Sequence, residues 1–123
     1  MTVTAYTLAV LLDLFCLFLG YRFWFQPGPA AAGYGVSADP RGDAGAYLSI
    51  KGLRDGAFGV LGLVLLAAVG ARAEAWFMAC VALVPLVDTL IVLRHGGAKA
   101  VAFGIHFATA IVVLISAGLL FAV

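Results

Sequence analysis

Four long apolar stretches, at about residues 4–25, 47–70, 73–94 and 99–122, take up almost the whole chain. Each is close to the ~20 residues a helix needs to cross a ~30 Å hydrocarbon layer. With 65% hydrophobic and 11% charged residues over 123 positions, the composition is that of one integral membrane domain rather than a soluble one. The expected fold is therefore all-α: an antiparallel bundle of four transmembrane helices.

The first stretch is expected to be a mature helix and not a removable leader. Met1–Thr4 carries no Lys or Arg, and the apolar run continues into Tyr21, Phe23, Trp24 and Phe25. Those aromatics, with Arg22 among them, mark a membrane–water boundary. Residues 26–46, rich in Gly, Ala and Pro, read as the single long loop. The corners Gly70-Ala71-Arg72 and Arg94-His95-Gly96-Gly97 are tight and make successive helices antiparallel neighbours. Arg22, Arg41, Arg94 and Lys99 flank the side with the long loop and only Arg72 the other. The positive-inside rule then places the loop side in the cytoplasm and both termini outside, in a multi-pass protein of the cell membrane.

A net charge of +1 leaves no row of cations for a nucleic acid. No phosphate loop, dinucleotide fingerprint or nucleophile elbow occurs, so no cofactor is expected. No His or carboxylate recurs at i, i+3 or i, i+4 to hold a metal from one helix, and no metal is expected either. Cys16 and Cys80, without a CxxC, read as small apolar filler. Gly52, Gly56, Gly59 and Gly62 form a small-residue stripe on the second helix, suited to close packing within the bundle or to a homodimer.

The functional argument rests on depth. At ~1.5 Å of rise per residue, Lys51 lies ~6 Å in from the loop side, Asp88 ~9 Å, Arg54 and His106 ~10 Å, Asp55 ~12 Å and Asp13 ~18 Å. Ionisable groups at such depth are costly when they face lipid, so they are expected to face inward and to mark a site. Lys51, Arg54, Asp55 and Phe58, at i, i+3, i+4 and i+7, share one face of the second helix. Asp88 follows Pro85, whose missing N–H leaves the Val81 carbonyl without its helical donor. The expected catalytic groups are Asp88, Asp55 and His106: two carboxylates in unlike environments, and an imidazole whose ordinary pKa is near neutrality. Lys51, Arg54 and Asp13, with Phe58, Trp24 and Phe103, are expected to bind the substrate.

The runs Gly20-Tyr21-Arg22-Phe23, Pro29 to Gly35, Lys51-Gly52-Leu53-Arg54-Asp55-Gly56, Pro85-Leu86-Val87-Asp88 and Leu93-Arg94-His95-Gly96 resemble a group of small four-helix membrane proteins catalogued as a domain of unknown function. The resemblance covers nearly the whole chain and implies fold and topology without an activity. The layout is more distantly similar to DoxX-like proteins, a likeness of fold alone. The leading expectation is an enzyme doing acid–base chemistry, such as isomerisation, cyclisation or epoxide opening, on a lipophilic small molecule reached from the membrane lipids. The alternatives are a proton-coupled transporter working as a homodimer and a structural or regulatory subunit.

Overall fold

The computed structural model describes all 123 residues. Its helices are α1 (Thr2–Phe25), α2 (Pro27–Tyr34), α3 (Asp43–Val64), α4 (Ala71–Val81), α5 (Leu83–Arg94), α6 (Lys99–Val101) and α7 (Ala108–Phe121). Two π-helical segments, Leu65–Val69 and Ala102–Phe107, extend α3 and join α6 to α7. There are no strands, and the four spans are Thr2–Phe25, Asp43–Val69, Ala71–Arg94 and Lys99–Phe121.

Small residues set how the spans pack. The buried positions Ala5, Ala9, Ala75, Ala82, Ala102, Ala110 and Ala117 bring the backbones close, while Leu11, Val60, Leu83, Leu90 and Ile115 remain on the outer surface. That inversion of the soluble pattern is what a lipid solvent produces, since lipid tails are as apolar as leucine and association rests on close contact. α1 lies along α3, and the glycine stripe is used there. A Cβ on Gly20 would come within 2.8 Å of the Gly52 carbonyl oxygen and the Gly56 nitrogen, and one on Gly52 within 2.9 Å of the Gly20 carbonyl oxygen. Gly59 and Gly62 meet Asp13 in the same way. The stripe therefore packs within the chain.

Residues 26–46 hold more than the expected loop, because Pro27–Tyr34 forms the helix α2. Proline at the first helical position loses no hydrogen bond there, since that N–H has no partner in any helix. At the other end Gly35 closes α2 in the left-handed conformation at φ 95°. A side chain at 35 would also press on Val92 and Val101 at 3.1 and 2.8 Å, so glycine is required twice over. α2 folds back against the bundle, with Ala30 and Ala31 buried, and covers the loop-side end.

The regular α-helix of the third span is interrupted at Ala82, between α4 and α5. Pro85 cannot donate to Val81, and the Thr89 hydroxyl donates to the Pro85 carbonyl at 2.8 Å. Pro85 sits one turn before Asp88 and Thr89 directly after it.

Candidate functional site

Between the spans, on the loop side, lies a cavity of about 230 Å³. Apolar side chains such as Leu12, Leu19, Val81, Val84, Ile105 and Val113 make most of its wall, and its polar end is built by Tyr34, Lys51, Asp55, Asp88 and His106. Phe15, Phe18 and Ile105 line it and are also 42%, 50% and 47% exposed on the bundle surface. The cavity is partly open, and its wall reaches the lateral surface of the bundle along α1 and the fourth span.

Tyr34 is the hub of the polar end. Its hydroxyl donates a hydrogen bond to Asp88 Oδ2, and its backbone carbonyl accepts one from His106 Nε2 at 2.7 Å. A carbonyl can only accept, so the proton of neutral His106 is on Nε2 and Nδ1 is its lone-pair nitrogen. The Tyr34 ring stands edge-on to His106, centroids 4.2 Å apart, and edge-on to Phe23 at 5.5 Å. Burial, together with the Asp88 and Asp55 carboxylates, raises the Tyr34 phenol above its ordinary pKa, so it keeps its proton and serves as a donor.

Lys51 and Asp55, one turn apart on α3, pair at 2.8 Å. The Lys51 ammonium also lies 4.3 Å from the Tyr34 ring centroid and 4.8 Å from that of Phe23, which adds cation–π attraction from both faces. His106 lies in the π-helical segment Ala102–Phe107. Such a segment is uncommon within an α-helix and is frequently found at functional sites.

The structure brings Asp88, Asp55, His106, Lys51 and Phe58 together around this cavity and places the remaining expected residues elsewhere. Arg54 is exposed on the outer face of α3, away from Asp55 and Asp88, so it is Lys51 and not Arg54 that pairs with Asp55. Trp24 is 51% exposed and lies in a shallow groove along the α1–α3 seam, outside the cavity. Phe103, also 51% exposed, packs edge-on against Phe107 at 6.2 Å on the surface. Asp13 is buried, but its carboxyl fits over Gly62 and does not line the cavity.

Two cavity residues escape the sequence reading. Tyr34 is hidden in a segment whose composition suggests a loop, although prolines at 27 and 29 and glycine at 35 bracket a short helix in the order that helix ends favour. Arg22, read as an interface anchor, lines the cavity with its guanidinium carbon 5.9 Å from the Phe18 ring centroid.

A second buried polar group lies nearer the termini. Glu74 is 0% and Asp13 3% exposed, and Asp13 Oδ2 and both Glu74 carboxylate oxygens have no hydrogen-bond partner. Ser116 Oγ, on α7, is buried without a partner as well.

No curated protein and no solved structure matches the chain. Residues 14–120 match the family described as Domain of unknown function (DUF4267), a stretch that holds every residue of the cavity's polar end, and the chain belongs to that family.

Proposed function

We propose that this protein is a membrane-embedded enzyme that performs proton-transfer chemistry on a small lipophilic molecule held in the loop-side cavity. The observation that carries this reading is the Tyr34 hydroxyl hydrogen-bonded to the Asp88 carboxylate at the polar end of an otherwise apolar chamber. In such a pair Asp88 takes a proton from one substrate atom and returns it at another, while the Tyr34 hydroxyl, which keeps its own proton, donates a hydrogen bond that orients the carboxyl or a substrate oxygen. His106 supports the arrangement from the backbone side and offers Nδ1 as a second acceptor. Proton delivery at one atom and removal at another is the common requirement of isomerisation, cyclisation and epoxide opening.

The chamber falls below the ~300–1,000 Å³ of most drug-sized sites, which suits a small molecule or one end of a longer chain lying in the bilayer. Its reach to the lateral surface suits entry from lipid. We place the loop side in the cytoplasm, on the excess of Arg22, Arg41, Arg94 and Lys99 there over Arg72. A purely structural charged layer would be fully paired around a filled core, so the chamber and the unpaired Arg22 support the enzyme reading over that one.

The test is turnover of the lipophile that copurifies with the protein. Asp88→Asn and Tyr34→Phe are each expected to keep helicity and monodispersity while lowering turnover by about 10²–10⁴-fold, the usual contribution of a positioned acid or base. Full activity in both variants would refute the assignment.

A second reading, proton-coupled transport, is favoured by one observation: the buried and unpartnered Asp13 and Glu74 lie between the cavity and the opposite membrane face. It predicts that Glu74→Gln abolishes pH-driven flux in proteoliposomes. Wild-type vesicles that carry no such flux would remove it.

A further inference from the structure

We infer that Arg22 is an anion-binding residue of the cavity, and that the ligand class is a small lipophile bearing one carboxylate or phosphate. The inference rests on the cavity being a lipophile site and names the head group that site takes. Among the ionisable side chains of the cavity wall, Lys51 is neutralised by Asp55, Asp88 accepts from Tyr34, and His106 donates to the Tyr34 carbonyl. Of the wall's charged side chains Arg22 alone has neither a carboxylate nor a hydrogen-bond partner, and within a half-buried side chain its Nε is buried and unsatisfied.

A guanidinium carries five donors in a planar fork, and leaving the buried Nε donor empty forfeits a charge-assisted hydrogen bond. The Phe18 ring beside it, 5.9 Å from the guanidinium carbon, attracts the charge but does not use its donors. What satisfies it is an oxyanion, which the fork binds in bidentate fashion. The position agrees with this: Arg22 stands in the last turn of α1, at the loop-side end of the cavity wall where a head group would rest, while a tail would lie along Phe15 and Phe18. An anion held there leaves the body of the molecule facing Tyr34 and Asp88.

The experiment compares decanoate with decanol, which share a chain and differ in the head. Binding to the wild-type protein is measured at neutral pH in a maltoside detergent, which contains no phosphate. Decanoate is expected to bind about 10-fold or more tightly than decanol. Arg22→Gln is expected to abolish that difference without weakening decanol, and Arg22→Lys to retain part of it, since an ammonium keeps the charge and loses the fork. Equal binding of both ligands by wild type, or an undiminished preference in Arg22→Gln, would overturn the inference. The wild-type comparison decides it even if the glutamine variant does not fold. Binding of neither ligand would instead count against the lipophile cavity itself, which separates the two failures. Repeating the measurement in phosphatidylcholine nanodiscs identifies the anion's source: a preference that survives assigns Arg22 to the ligand's own head group, and one that collapses assigns it to a lipid phosphate.

Discussion

The two halves of the bundle bury acidic groups in opposite ways. On the loop side Asp55 and Asp88 are partnered, by Lys51 and Tyr34, and they face an open chamber. Toward the termini Asp13 and Glu74 are more deeply buried and have no cation beside them, and the packing around them is tight, with Ala5, Ala9, Ala75, Met78, Ala117 and Leu120 forming a closed core. A buried ion pair adds little stability compared with an apolar pair of the same volume, yet removing one partner strands the other. The loop-side groups therefore depend on their partners, whereas the terminus-side carboxyls have no ion-pair partner to lose. The difference teaches that charge in this membrane protein is paired around a chamber in one half and buried without a cation in the other.

The contrast can be broken by stability measurements on reconstituted protein. Lys51→Met leaves Asp55 buried without its cation and is expected to cost about 3 kcal/mol, most of it regained in the Lys51→Met/Asp55→Leu double variant. A single variant as stable as wild type would mean that the pair is not needed. Gly20→Ala is next, at about 1–3 kcal/mol, because the added methyl meets the backbone of Gly52 and Gly56 rather than a movable side chain. Gly118→Ala, where nothing lies within 4 Å, serves as its control and is expected to be neutral or slightly stabilising. The smallest effects belong to the terminus side. Asp13→Asn and Glu74→Gln remove no ion pair, so each is expected to shift stability by less than about 1 kcal/mol. A loss as large as that of Lys51→Met would place a cation at these carboxyls and cancel the distinction between the halves.

Much of this was legible from sequence, for reasons that also explain what was not. Span length and apolarity decide the fold because the bilayer admits few alternatives. Depth and helical spacing were enough to group Lys51, Asp55, Phe58, Asp88 and His106, since these positions fall within narrow arcs of their helices. Arg54 lies ~60° around α3 from Lys51 at ~100° per residue, at the edge of that arc. Whether it turns in or out is decided by where α1 docks, and α1 docks on the glycine face. Trp24 and Phe103 failed for the same reason, because aromatic character does not tell a cavity wall from a lipid-facing surface. Tyr34 depended on a short helix whose proline and alanine content resembles a linker, and its reach to Asp88 and His106 spans 54 and 72 residues, beyond any local pattern.

The most direct test of the central claim, that the loop-side chamber holds a lipophile, is native mass spectrometry of the gently solubilised protein beside a Thr109→Trp variant, in which an indole from the cavity wall fills the space. The account predicts a non-lipid adduct on the wild-type protein that is lost from the folded variant. A wild-type protein that flies empty, or an adduct unchanged by the indole, would contradict it.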